Sequence, residues 1–346
     1  MRRFAVALVG FGYAGRTFHA PLIAACPDLT LAVVVSRQAD VVRAVWPQAR
    51  VLADYAAALA DPTIDLVVLA TPNALHADQA RAALEAGKAV VVDKPFTLTA
   101  AEARALTALA DARGLLLSVF HNRRWDADFL TLRELIAADR LGPVMRVESA
   151  FDRWRPEVRD RWREGEGPGA GLWYDLGPHL IDQALMLFGR PLGVTCDLAV
   201  LRPGGKAIDY AHAVLRYAEK RIVLHADMTT PAPGRRFAVH GARASWIKSG
   251  LDVQEEQLKA GLDLDAAEWG VDPRPGVVVD GDGASVVTPG PAGRYQTYYA
   301  AIAGALGGRH DNPVPAADAV AVMEVLEAGL LSAAERREVL LNPRTR

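Results

Sequence analysis

Short apolar runs alternate with longer stretches of helical spacing over the first 120 residues. The runs at 4–9, 31–35, 64–70, 89–92 and 115–120 have the length and composition of buried strands. Helical spacing follows the first run through Phe18, Leu22 and Ile23, and it returns over residues 74–87, where Gly87 closes it. Thr99-x-x-Glu102 is a capping box opening a helix to Arg113, with Gly114 as its stop. Strands alternating with helices of this length predict a parallel, doubly wound sheet with right-handed crossovers. The loops carrying Gly10, Ser36, Thr71, Lys94 and His121 then share the carboxyl edge, where such sheets bind ligands.

From Trp125 the pattern changes. A helix is expected over 128–138, a turn at Gly142-Pro143 and an alternating strand over 144–151. Residues 152–164 are dense in charge of both signs, which predicts an ion-paired or solvated segment. Proline is tolerated in a first helical turn, so Pro178 places a helix start near Asp175. Five runs, at 194–201, 211–217, 221–228, 237–241 and 244–248, are joined by hairpin-length links and favour an antiparallel sheet. Residues 252–293 are loop-rich, with many Gly, Pro and Asp, and are the least readable part; 295–306 and 316–334 read as helices. The fold class is therefore α/β: a doubly wound parallel sheet over 1–123, then an α+β domain with a mostly antiparallel open sheet over 124–346. An exposed face of that second sheet needs a cover, and a symmetric homodimer is the economical one.

Composition changes this picture little. At 346 residues, two domains are expected. With 51% apolar residues, 23% charged residues and a net charge of -2, neither nucleic acid nor an anionic membrane is an expected partner. Cys26 and Cys196 make neither a disulfide framework nor a metal cluster, which fits free thiols in a reducing cytoplasm. Met1-Arg2-Arg3 before an apolar run resembles a signal peptide, but Gly10 and Gly12 end the run too soon. No transmembrane helix and no internal repeat is expected.

The candidate chemistry sits at the strand ends. Gly10-Phe11-Gly12-Tyr13-Ala14-Gly15 is G-x-G-x-x-G, with a strand before it and a helix after it. Gly10 permits a tight turn, Gly12 lets backbone approach a pyrophosphate, and Gly15 lets helix and strand pack closely. Ser36 and Arg37 stand where a ribose-reading carboxylate would favour NAD; a hydroxyl and a guanidinium suit a 2′-phosphate, so NADP is preferred, while Asp40 keeps NAD open. Thr71, Pro72, Asn73 and His76 follow the 64–70 strand as cofactor-side candidates. Asp93-Lys94-Pro95 ends the 89–92 strand, with Asp93 a candidate cofactor contact and Lys94 a candidate catalytic, cofactor-binding and substrate-binding group. Asn122 and Arg123 are candidate substrate contacts, as is Trp154 in the charged segment. Asp175 and His179 fall at i and i+4 on one helix face, where a carboxylate can orient an imidazole for acid–base work. No zinc-like ligand spacing is present, so no metal is expected.

These motifs occur together in one order: the glycine turn, Thr71-Pro72-Asn73, Asp93-Lys94-Pro95 and Asp175-x-x-x-His179. The set resembles the glucose–fructose oxidoreductase/inositol dehydrogenase (Gfo/Idh/MocA) family over nearly the whole chain. The family's usual Glu-Lys-Pro is Asp93-Lys94-Pro95 here. Residues 91–97, 121–126 and 151–164 look most like the branch containing NADP-dependent scyllo-inositol dehydrogenases. The resemblance implies a Rossmann domain followed by a mostly antiparallel α/β domain with the site between them. It implies reversible oxidation of a secondary hydroxyl on a sugar or cyclitol, with Lys94, Asp175 and His179 catalytic. Another substrate class of the same family (an aromatic dihydrodiol or a tetrapyrrole) and a non-catalytic NAD(P)-sensing regulator stand as alternatives.

Overall fold

The computed structural model describes residues 3–232 and 234–341. The chain divides into two compact units. The first holds Met1–Asn122 together with Gln254–Trp269 and Arg294–Val320; the second holds Arg123–Val253, Gly270–Gly293 and Ala321–Arg346. The first break thus falls beside the 123/124 division read from the sequence. The second unit is not one continuous stretch, however, because the chain returns twice to the first.

The first unit is built on a six-stranded parallel sheet. Its elements in chain order are β1 (Phe4–Val9), α1 (Ala20–Ala24), β2 (Leu29–Val35), α2 (Ala39–Val45), β3 (Arg50–Leu52), α3 (Tyr55–Ala60), β4 (Leu66–Leu69), α4 (His76–Glu85), β5 (Ala89–Val92), α5 (Ala100–Arg113) and β6 (Leu117–Val119). The strand order is β3-β2-β1-β4-β5-β6. Every residue of β4 and β5 is buried, which is why these strands read as unbroken apolar runs rather than alternating ones. The order reverses at β1, and ligands bind at that switch point in open α/β sheets. The capping box of α5 forms as its sequence predicts, and Gly114 ends the helix in the left-handed region at φ 63°.

The second unit carries α6 (Ala127–Ala137), β7 (Val144–Asp152), α7 (Leu172–Phe188), β8 (Gly193–Ala199), β9 (Tyr210–Arg216), β10 (Arg221–Asp227), β11 (Arg235–Gly241) and β12 (Ala244–Ser249). After α8 (Gln254–Lys259), which belongs to the first unit, come β13 (Gly276–Asp280) and β14 (Ser285–Thr288). α9 (Gln296–Leu306), α10 (Ala316–Glu335) and β15 (Val339–Leu340) complete the order. The nine-stranded sheet runs β14-β13-β12-β11-β7-β10-β9-β8-β15. All its pairs are antiparallel except β7 with β10. β7 therefore sits between two antiparallel meanders, β8–β10 and β11–β14. α7 packs across β7, β9 and β10.

One expectation is corrected. α7 begins at Leu172, three residues before Asp175, so Pro178 lies in its second turn. Gly171 sets that start: at φ 90° it takes a conformation side chains avoid, and the Leu172 N–H then donates to the Ile208 carbonyl at 2.6 Å. Residues 252–293 are loop-rich as expected, and three short elements form within them: α8, β13 and β14. Among the described residues no helix is long and apolar enough to cross a membrane.

Candidate active site

In the first unit the carboxyl ends of β1, β2, β4, β5 and β6 carry Gly10, Ser36, Thr71, Asp93-Lys94 and Asn122 along one edge. The glycine turn fits a dinucleotide at each of its three positions. Gly10 has φ +96°, and a Cβ there would stand 2.6 Å from the Ala70 carbonyl oxygen. A Cβ on Gly15 would strike the Gly10 carbonyl oxygen. Gly12 is exposed and a Cβ there would meet nothing within 4 Å, so its backbone is the part open to a pyrophosphate. Phe11 is buried and Ala14 half-buried, so of the intervening residues only Tyr13 is exposed. Its hydroxyl donates to Glu255 at 2.6 Å, and Lys259 lies 5.8 Å from its ring centre. Burial, and then Glu255, push the Tyr13 hydroxyl up to about 12. Both partners belong to α8, a helix the sequence pattern did not mark.

Beyond β2, Ser36 Oγ accepts from the Gln38 N–H at 3.0 Å, and Arg37 is exposed. Asp40 pairs with Arg43 along the exposed face of α2 at 3.2 Å. The Asp40 carboxylate is fully exposed, so this surface pair leaves it open to solvent.

His76 holds two strand ends together. It is buried, with Nδ1 2.8 Å from the Pro95 carbonyl oxygen and Nε2 3.0 Å from that of Thr71. Thr71 Oγ1 donates to Gln79 Oε1 at 2.6 Å, and Asn73 is buried at the single turn that leads into α4. Lys94 is half-buried at the end of β5, and its backbone N–H donates to Asp93 Oδ1 at 2.9 Å.

In the second unit Asp175 and His179 lie one turn apart on α7, half-buried and buried respectively. The next turn anchors the helix. Asp182 receives a buried two-pronged bond from Arg124, with Nη2 to Oδ1 at 2.6 Å and Nε to Oδ2 at 2.9 Å. Gln183 donates to the Arg123 carbonyl at 2.8 Å and accepts from Arg236 at 2.6 Å. Arg236 is itself buried between the rings of Phe151 and Phe237, at 4.3 and 4.0 Å. These bonds fix the rotation of α7 and with it the direction of His179. Sequence reading missed this set. The signal was a polar pair, Asp182-Gln183, at i+3 and i+4 from His179 in an otherwise apolar stripe.

Arg123, read as a substrate contact, is buried over the Phe151 ring at 4.8 Å and lies 3.4 Å from Asp126. Trp154 is exposed and bridges to Thr229. The charged segment around Trp154 is ion-paired, as its composition predicts. Buried Arg202 meets Glu164 at 3.0 Å and Asp209 at 2.9 Å, and donates to the carbonyls of Arg155 and Glu157. Burial, then the like charges of Arg153, Arg161 and Arg159, hold Arg155 below its ordinary value; Asp175 opposes this, which places Arg155 in the field of that carboxylate. Among the described residues no group of three or more His, Cys, Asp or Glu side chains is arranged to hold a metal ion.

The family described as "Oxidoreductase family, NAD-binding Rossmann fold" matches residues 4–121, and its "C-terminal alpha/beta domain" matches residues 133–341. The chain is 53% identical over 339 residues to the uncharacterized oxidoreductase YdgJ of Escherichia coli, covering 97% of this chain and 98% of that one. It is 37% identical over 341 residues to the scyllo-inositol 2-dehydrogenase (NADP(+)) IolW of Bacillus subtilis, covering 97% and 95%. Among solved structures, yvaA of Bacillus subtilis superposes with a TM-score of 0.96 at 37% identity, covering 99% of each chain.

Proposed function

The chain belongs to the Gfo/Idh/MocA oxidoreductase family, and we propose that it reversibly oxidises a secondary hydroxyl of a cyclitol or sugar with NADP as the preferred cofactor. The observation that carries this reading is Lys94 at the carboxyl end of β5, on the edge that bears the glycine turn. IolW, similar over nearly its whole length, is named for this chemistry. The preference for NADP rests on Ser36 and exposed Arg37.

Bound nicotinamide would supply the hydride acceptor. The glycine turn, Ser36, Arg37, Thr71, Pro72, Asn73 and His76 hold and frame the dinucleotide. His179 takes the hydroxyl proton as general base, and Asp175 one turn earlier orients its ring. Lys94 places a cation where negative charge develops on the substrate oxygen. We assign the chain to the cytoplasm, and to a homodimer through the outward face of the second sheet.

The test is absorbance at 340 nm with NADP and NAD offered separately against inositols and aldoses. Reduction of NADP by a cyclitol is expected; reduction of NAD alone overturns the 2′-phosphate reading. Arg37→Ala should weaken NADP binding on the order of tenfold, the worth of a charge-assisted hydrogen bond, and leave NAD binding unchanged. Equal losses for both cofactors would remove Arg37 from phosphate recognition.

A further inference from the structure

Behind Lys94 three buried groups, Asp93, His19 and Tyr299, carry no step of the chemistry above. Asp93 Oδ1, which accepts the Lys94 N–H, stands 3.6 Å from His19 Nε2. The other ring nitrogen, His19 Nδ1, lies 2.6 Å from the Tyr299 hydroxyl oxygen. His19 and Tyr299 are fully buried and Asp93 is 6% exposed. One proton arrangement suits all three groups: Tyr299 donates to Nδ1, and the proton on Nε2 faces Asp93. At 3.6 Å that last tie is electrostatic rather than a full hydrogen bond.

The groups come from three segments of one unit. Asp93 ends β5, and Tyr299 lies on α9. His19 closes the wide turn Gly15–His19 that follows the glycine motif; there the Ala20 N–H bonds back to the Gly15 carbonyl, five residues earlier. Wide turns of this kind are rare and gather at functional sites. Ring packing holds His19 in place, with Phe120 at 4.4 Å, and Tyr298 in turn lies 5.0 Å from Phe120 and donates to Ser118. Burial would raise the Asp93 carboxyl, yet His19, and then Lys94 and His76, hold it below the ordinary carboxylate range. An ionised carboxylate is thereby kept at the root of Lys94.

We propose that His19 is a positioning residue for Lys94, acting through Asp93, with Tyr299 fixing the imidazole. The cofactor-binding turn and the end of β5 are then tied by one side chain. The proposal rests on the reading of Lys94 as the catalytic lysine.

Two measurements test it, and the first needs no substrate. Lysines are acetylated with limiting acetic anhydride and read by peptide mass spectrometry, with exposed Lys206 as the internal reference. His19→Gln should change the Lys94 rate relative to Lys206 severalfold. Tyr299→Phe keeps the ring and loses only the hydroxyl, and it should move the rate the same way by less. An unchanged ratio in a folded His19→Gln protein overturns the proposal; should that variant fail to fold, an unchanged ratio in Tyr299→Phe does the same.

The second measurement is turnover with NADP and the alcohol identified in the panel above. His19→Gln should lower kcat on the order of tenfold or more, as misplaced catalytic groups do, with a smaller loss of NADP affinity by fluorescence titration. In a Lys94→Ala background it should cause no further loss. An equal loss in both backgrounds overturns the proposal. Full turnover in Lys94→Ala would instead refute the catalytic reading of the lysine, and the labelling ratio would still decide whether His19 positions it.

Discussion

At the scale of single residues, the glycine turn separates two kinds of demand on one motif. Gly15 serves the fold, because a Cβ there meets the carbonyl oxygen of Gly10, and two stretches of backbone cannot both yield. Gly15→Ala should cost about 1–3 kcal/mol, the range for overpacking, and lower Tm by about 2–4 °C per kcal/mol. Gly12 is the position left open to the proposed dinucleotide. Gly12→Ala should leave Tm unchanged, since nothing lies within 4 Å of the added carbon, yet weaken NADP binding on the order of tenfold. Thermal melts and fluorescence titrations of the two variants check this; a Gly12→Ala protein that binds NADP normally would remove that backbone from the site. The residues legible from sequence were those whose type has few other uses in their setting, such as glycines between strand and helix or a lysine ending a buried run. His19, Tyr299 and Asp182 were not legible. A lone polar residue in an apolar stripe looks the same whether it satisfies a core or orients a catalytic group, and only the partner, 58 residues away for Arg124–Asp182 and 280 for His19–Tyr299, tells them apart.

At the scale of elements, the helices that declared themselves carry their stop and start signals in local chemistry. In α5 the Thr99 hydroxyl accepts from the Glu102 N–H at 3.2 Å, and Glu102 Oε2 accepts from the Thr99 N–H at 3.0 Å and the Leu98 N–H at 3.1 Å. Thr99→Ala should destabilise the protein by about 1 kcal/mol, and Glu102→Ala should behave similarly. Urea unfolding should show a lower midpoint at unchanged slope in both; an unaltered midpoint would mean that packing alone sets the start of α5. α7 shows the opposite case. Its start depends on Gly171 and on a bond to the Ile208 carbonyl, which no local pattern announces, so Pro178 falls one turn later in the helix than its type predicts. α8, β13 and β14 were hidden in a stretch rich in Gly, Pro and Asp, where turn residues at both ends mask short elements.

At the scale of the whole molecule, the second sheet has one face packed by α7 and an outward face that the proposed homodimer would cover. Val214, Val223, Ile247 and Val277 lie on that face, half-buried, with His212 and His225 directly opposed across β9 and β10. Burial, and then the neighbouring His225, hold His212 below its ordinary value, while Asp197 and Glu148 on the flanking strands pull it back up. His240, farther along the face, is lowered in the same way by burial and then by Arg146, with Glu148 opposing and Arg235 adding to the shift. The sign follows from which state binds more protons. A histidine lowered by burial takes up its proton more readily once exposed, so acid favours the exposed state and neutral pH the buried one. Covering the face with a second copy buries these rings further, so the dimer should be tightest near neutral pH. It should weaken as pH falls through the histidine values of the uncovered face, which lie below the ordinary one. Light scattering behind size exclusion at micromolar protein should report a dimer at neutral pH and a growing monomer fraction toward pH ~5.5. Replacing Val214 and Val223 with Lys should give monomer at both pH values, because four cations would then be buried across a two-fold contact. A variant of that kind still running as a dimer would place the subunit contact elsewhere. A native protein that is monomeric at neutral pH would leave this face to some other cover.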